Sequence, residues 1–508
     1  MFEQTITMLP GEAWYGLCAD HGLQFPLTQS SEYQIHLDPN PTNNQSAPFL
    51  VSSCGRYLYS EAGFSLEAHG GVLTLRSNKK EIVLREGFAT MKGAFQAAAQ
   101  THFAADGKVP PREFFTKPQY NTWIELIYNQ NEKDILRYAQ GIIENDLPAG
   151  ILMIDDGWSD YYGRWEFNRR TFPQPKEMVD RLHAMGFQVM LWVCPFISPD
   201  SVEMKSLHKK GLLVREQNGK PAVREWWNGY SAVLDFTNPD AQAWFAAQLD
   251  ALMEQYGIDG FKFDAGDGIY YRDDDVTFAP TDANGQTALW AKFGAKYAYN
   301  EYRACFGCQG MPLVQRLADK LHSWTNNGVA ALVPNQLAQG ILGYAFTCPD
   351  MVGGGEYENF TQNSDKLDAE LFVRYAQCAA LMPMLQLSAA PWRVLSAEYA
   401  DYCKKAAALH VQFGDLIWKL AQESAHTGEP IVRYMEYEFP HQNFETVTDQ
   451  FMLGHDVLVA PVLEKGARTR TVQLPQGQWK YVDGTIYSEA TAEVSAPLDV
   501  LPYFTLVV

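Results

Sequence analysis

The sequence predicts an α/β chain built on a (β/α)8 TIM barrel, with a β-sandwich before it and one or two β-sandwich modules after it. Three observations carry that expectation. Between about residues 118 and 425, strand-like apolar runs alternate with helix-like stretches, as parallel β/α folds require. The flanking segments hold short alternating runs cut by Gly, Asn, Pro and Ser. The apolar runs of the middle segment end repeatedly in carboxylates, where such barrels keep their chemistry. The expected domains are 1–115, 116–427 and 428–508, and 508 residues suffice for about three.

The first segment reads as all-β from runs such as YQIHL at 33–37, GVLTLR at 71–76 and EIVLR at 81–85. An Ala-rich helical pattern follows over 88–103, and Pro110 and Pro111 punctuate the chain. Barrel strands are predicted over 121–128, 150–155, 188–196, 261–264, 312–319, 343–349 and 381–387. Helical stretches at 132–144, 175–185, 241–255 and 286–303 lie between them. The remaining strand, expected around 302–309, has no visible pattern. After Gly428 the chain turns β-rich again, with PIVR at 430–433, QFML at 450–453, VLVAPV at 457–462 and YFTLVV at 503–508.

Composition excludes several function classes. A formal charge of −20 without any Lys/Arg run argues against a nucleic-acid partner. No basic start followed by an apolar block opens the chain, and no run of about 18 apolar residues occurs, so no membrane partner is expected. Most of the eight cysteines sit in apolar runs and read as reduced thiols, which makes the cytoplasm the expected compartment. Cys305 and Cys308 form a C-x-x-C pair with no second pair or His at finger spacing, so no metal and no cofactor is expected. The 13 Trp and 26 Tyr suit stacking on sugar faces, or a large core with interfaces such as those of a homo-oligomer.

The run from Tyr256 to Asp267 is the centre of the chemistry. Gly257 and Gly260 lead into a short apolar strand that stops at Asp264, with Gly266 just beyond. A period of two places Lys262 and Asp264 on one face, and the cation favours an ionised carboxylate. A structural ion pair at a strand end is the competing reading. Other strand ends bring Asp155, Asp156, Asp319 and Asp350, while Trp192 sits within the third strand. Several carboxylates on one rim are costly unless they work. Paired Asp residues with aromatics and no metal motif point to glycoside hydrolysis. Asp264 suits the ionised partner; Asp319, closing an apolar run, suits a desolvated proton donor. Asp155/Asp264 and Asp264/Asp267 remain alternative pairs on composition alone.

IDD at 154–156, LWVCPF at 191–196, LDFTNP at 234–239 and GFKFD at 260–264 resemble successive barrel motifs of glycoside hydrolase family 31. The resemblance extends to that family's order of β-sandwich, barrel and C-terminal β domain. It implies that Asp264 is the nucleophile. It also places the acid/base in a Trp-x-Gly-Asp segment, where this chain has RLAD at 316–319, so Asp319 takes that role and Trp324 keeps the later Trp spacing. The lost Trp and Gly are a departure.

Within the family, FKFDAGD at 261–267, RLAD, CPDMVGG at 348–354 and PWR at 391–393 resemble the myogenesis-regulating glycosidase group, which implies an α-galactosidase acting on α-linked glycosides. The family's α-glucosidases carry Asn-His at the eighth strand; this chain has MLQLS at 384–388 and no His. Arg303 falls where the group has a sugar-contacting Arg. Asp155 and Asp156 resemble an acidic pair used on O4 and O6, although Asp156 also suits a turn before Gly157. Trp192 is expected as a sugar platform or a core residue, and Trp392 and Arg393 as a cap on the pocket or an anchor at the barrel's end. Rivals are an α-glucosidase, an α-xylosidase, an α-N-acetylgalactosaminidase, a sulfoquinovosidase or an inactive carbohydrate-binding protein.

Overall fold

A computed structural model of the chain describes residues 1–362 and 367–507. Two four-stranded antiparallel sheets form the N-terminal sandwich. One runs Phe2–Thr7, Val72–Ser77, Ser65–His69 and Tyr33–His36; the other runs Trp14–Cys18, Ser46–Ser52, Tyr57–Ser60 and Ile82–Arg85. Tyr33 and Ile35 are buried while Gln34 and His36 are exposed, the alternation that a one-sided sheet needs. Trp14, Leu50, Leu58, Leu66 and Leu75 fill the space between the sheets.

Eight parallel strands make the barrel: β1 (Gln119–Asn121), β2 (Ile151–Ile154), β3 (Gln188–Val193), β4 (Gly260–Phe263), β5 (Tyr299–Tyr302), β6 (Val314–Arg316), β7 (Thr347–Cys348) and β8 (Gln386–Leu387). They follow one another in the sheet, and β8 closes on β1 with Gln386 opposite Gln119. No ladder joins β7 to β8 among the described residues, but the Val352 amide donates to the Gln386 carbonyl just beyond it at 2.9 Å.

Three of these strands differ instructively from expectation. The first stops at Asn121 rather than running to 128, because its side-chain oxygen accepts the Trp123 amide at 2.8 Å and turns the chain into the short helix Trp123–Leu126. The strand without a visible pattern is β5, slightly earlier than expected. Its sequence, YNEY, turns an acidic residue, Glu301, into the barrel, where Arg316 and Gln386 receive it. β6 ends at Arg316, so Asp319 stands on the loop beyond the strand.

The helix Ala397–Thr427 ends at Gly428, whose φ of +76° suits glycine, and leads to the C-terminal domain. There a six-stranded sheet, from Val432–Arg433 to Ile486–Tyr487, is accompanied by a two-stranded antiparallel sheet of Thr469–Gln473 and Thr491–Ser495. The last run continues as the strand Tyr503–Leu506, and Val508 lies outside the described residues. Among the described residues no helix is long and apolar enough to cross a membrane.

Candidate active site

Strand register builds the floor of the site. Trp192, Lys262 and Glu301 lie side by side on β3, β4 and β5, all buried. Lys262 donates to Asp155 Oδ2 at 2.8 Å and stands 3.7 Å from Asp264 Oδ2. Asp264 follows the last residue of β4, with its own amide still bonded to the Val193 carbonyl of β3. The chain then turns sharply through Ala265 and Gly266, at φ +55° and +75°, and a Cβ at Gly266 would stand 2.4 Å from the Trp290 ring.

Four donors converge on the Asp264 carboxylate or its immediate surroundings. Trp192 Nε1 donates to Oδ2 at 2.8 Å, Arg303 Nε to Oδ1 at 3.0 Å, and the Ala265 amide to Oδ1 at 2.8 Å; Lys262 stands behind. Burial would push this carboxyl up, but Lys262, then Arg303 and Arg316, overcome it and hold Asp264 well below the usual carboxylate range. Arg303 is itself fixed by a bidentate pair with Asp267 at 2.7 and 2.8 Å.

Asp264 faces a cavity of about 530 Å³ whose wall also includes Asp155, Asp156, Asp319, Glu356 and Glu358. Among the described residues, six carboxyls and two cations, Lys262 and Arg303, thus line one space. A larger groove of about 820 Å³ between the helices Glu132–Glu144 and Pro175–Ala184 has one carboxyl, Glu132, among basic residues and no acid pair. Of these two, the barrel cavity is the one equipped for acid/base chemistry.

The carboxyls of this wall have different surroundings. Burial, with the neighbouring Asp155 charge, pushes Asp156 up to about 7, although Tyr162 Oη and Asn228 Nδ2 donate to it at 3.0 and 2.7 Å. Asp319 Oδ1 accepts from Arg316 Nη1 at 2.9 Å, and its side chain is 33% exposed. The apolar, desolvated setting expected for Asp319 is thus corrected: the strand stops three residues earlier, and the side chain meets a cation at the rim.

Four other expected site residues serve elsewhere or differently. Trp192 lines the cavity but is only 1% exposed; its N–H is engaged by Asp264, so it holds the carboxylate rather than offering a broad platform. Trp324 is not part of the wall. It donates to Asp368, which Lys465 of the C-terminal domain also binds. Trp392 is not in the wall either: it stacks on Tyr138 and packs against Gly141 on the barrel's outer helix. Arg393 pairs with Glu125, away from the cavity. Both anchor the barrel's end, since their partners belong to the helical layer.

Several residues of the wall had no sequence signal. Trp123 and Tyr128 come from the turn after β1, Trp227 from the hairpin Val223–Trp226 and Gly229–Val233, and Ile269 and Tyr270 from the turn after Asp267. The Arg303 guanidinium lies over the Trp227 ring, 5.2 Å from its centre. Asn43 reaches the wall from the N-terminal sandwich and accepts Arg303 Nη1 at 2.6 Å on its carbonyl. Its neighbours Asn44 and Gln45 donate to the carbonyls of both Arg303 and Arg316 at 2.8–3.1 Å. The sandwich therefore braces the two loops that carry Arg303 and Asp319. Only a signal for long-range contact could have revealed that.

Residues 110–420 match the model of the glycosyl hydrolases family 31 TIM-barrel domain, and residues 428–505 match the family 31 C-terminal domain. The chain is 34% identical over 419 residues to the mouse myogenesis-regulating glycosidase, covering 80% of this chain and 58% of that protein. It is 24% identical over 411 residues to the sulfoquinovosidase of Escherichia coli, covering 74% of this chain and 58% of the relative. The chain thus spans under two thirds of the length of these relatives. In fold it is similar to a Flavobacterium johnsoniae GH31 dextranase solved with glucose, with a TM-score of 0.86 at 21% identity, over 99% of this chain and 66% of that one.

Proposed function

The chain belongs to glycosyl hydrolase family 31, and we propose that it is a retaining, exo-acting α-galactosidase that releases terminal α-linked galactose from oligosaccharides or simpler glycosides. The observation that carries this reading is the arrangement of Asp264, held ionised by Lys262 and Arg303, on one cavity with Asp319. Asp264 attacks the anomeric carbon while Asp319 gives its proton to the departing glycosidic oxygen. A glycosyl ester on Asp264 results. Asp319, now a carboxylate, takes a proton from water, whose oxygen displaces Asp264 and completes the second inversion.

Trp192 and Arg303 keep the nucleophile's two oxygens in place, so little reorganisation is needed at attack. The buried row of Trp192, Lys262 and Glu301 closes the barrel beneath the cavity, which suits a terminal sugar rather than a passing chain. Asp155 and Asp156 take the hydroxyls O4 and O6. On the eighth strand, Gln386 bonds Glu301 and Ser388 accepts the Ile124 amide; neither lines the cavity, so no donor from that strand addresses an equatorial O4. Both cations of the wall are already paired with carboxylates, which favours a neutral sugar over a sulfonated one.

A panel of 4-nitrophenyl α-glycosides tests the reading. The α-galactoside is expected to be cleaved with the highest kcat/KM. Faster turnover of the α-glucoside or α-xyloside would reassign the sugar, and no turnover of any would indicate a binding protein.

A further inference from the structure

One guanidinium nitrogen is shared by two carboxylates. Arg316 Nη1 donates to Asp319 Oδ1 at 2.9 Å and to Asp350 Oδ1 at 2.6 Å, and Arg316 Nε stands 3.4 Å from Glu301. Asp350 is fully buried just beyond β7, and its other oxygen accepts the amides of Lys320 and Gly355, both at 2.6 Å. A Cβ at Gly355 would stand 2.7 Å from Asp350 Oδ1 and 3.0 Å from Asp319 Oδ1, so the backbone is pressed against both acids at once.

An acid/base residue has to hold a proton before it can give one, and a cation bonded to it works against that. Resting on the roles proposed above, we infer that Asp350 is a positioning residue for the acid/base: its buried carboxylate neutralises Arg316, so that Asp319 faces an ion pair rather than a bare cation and can keep its proton.

The other groups facing the pair fit this assignment. Glu301 adds a second buried carboxyl on the far side of Arg316, and Glu356 of the cavity wall adds another near Asp319. Tyr375 and Cys348 lie near Asp350 with their protons held by burial. Lys320 turns its ammonium to Asp20 and Asn327. Asp264 and the Lys262 ammonium act on Arg316 from across the site, with opposite signs. Burial, and then the Asp319 charge, push Asp350 up to about 6 while Arg316 opposes them; the Arg316 bond and the amides of Lys320 and Gly355 all favour its carboxylate form.

The test measures pH profiles of kcat/KM for Asp350→Asn on two α-galactosides, one with a nitrophenol and one with an alkyl alcohol as leaving group. The alkaline limb is expected to move down by about one pH unit, as an opposite charge at this distance would cause. At pH 7 the alkyl substrate should lose roughly tenfold and the nitrophenyl substrate under about threefold, because only the former needs the proton. An unmoved limb, or equal losses on both substrates, overturns the inference.

The double variant Arg316→Gln/Asp350→Asn removes both charges and should return the limb to its wild-type position; a limb that stays shifted also overturns it. If Asp350→Asn does not fold, as judged by its melting curve, the double variant alone decides. Asp319→Asn serves as the separate control. If it shows no dependence on the leaving group, the proposed acid/base role fails; if it does and Asp350→Asn does not, only the present inference fails.

Discussion

The indole N–H of Trp192 and the carboxylate of Asp264 meet at 2.8 Å, one strand apart at the end of the barrel. This bond holds the oxygen that Lys262 also approaches, and leaves Arg303 to hold the other. Hydrogen bonds to charged groups contribute ~1.5–3 kcal/mol. Trp192→Phe keeps an aromatic ring in place and removes the donor. Steady-state kinetics should show kcat lowered about 10- to 100-fold with KM changed far less. A fall confined to KM would mean that Trp192 binds sugar and does not orient the nucleophile.

Asp264→Ala should lower turnover by at least ~10³-fold, since the proposed covalent route is lost. The fold should survive, because Lys262 keeps Asp155 and Arg303 keeps Asp267 as partners. Circular dichroism separates the two effects. A fluorinated galactosyl fluoride should leave its label on the peptide containing Asp264 in the wild type and on no peptide in the variant.

Much of this site could be read from the chain, for a definite reason. GFKFD places Lys262 and Asp264 by the two-residue period of a strand, and both sit where that period puts them. β5 could not be read, because its inward residue is a polar acid, Glu301, whose partners Arg316 and Gln386 come from other strands. Trp324, Trp392 and Arg393 could not be placed from the sequence for a related reason. Trp and Arg serve sugar binding and helix packing equally well, and only the neighbours, Asp368, Tyr138 and Glu125, decide between them. The bracing by Asn44 and Gln45 depends on contacts some 260–270 residues away in sequence, beyond any local pattern.

That bracing is testable by itself. Asn44 donates to the carbonyls of Arg303 and Arg316 and accepts the Ala318 amide at 3.0 Å. Asn44→Ala should loosen the loop that carries Asp319 without reaching the cavity, at a cost of ~1–3 kcal/mol in local stability. Hydrogen exchange at Ala318 should accelerate and kcat/KM should fall several-fold. Unchanged exchange there would mean that the sandwich does not hold the loop.

Asp156 gives a pH-dependent signature in stability. Its carboxyl stands at about 7 in the fold, raised by burial and by Asp155, against ~3.9 for an unfolded Asp. Between these values the native state binds more protons than the unfolded one, so this group's contribution to stability is full at low pH and declines as pH rises towards about 7. Asp156→Asn removes that decline. The stability of the variant relative to the wild type, from urea unfolding at pH 5 and pH 8, should therefore rise with pH. A flat or falling difference would contradict the buried, protonated setting of Asp156.

The double displacement itself is tested most directly by proton NMR of the first sugar released from 4-nitrophenyl α-galactoside, recorded before mutarotation. Attack by Asp264 followed by water on the opposite face predicts the α-anomer as the initial product. Initial release of the β-anomer would mean a single inversion by water and would contradict the role of Asp264 as nucleophile.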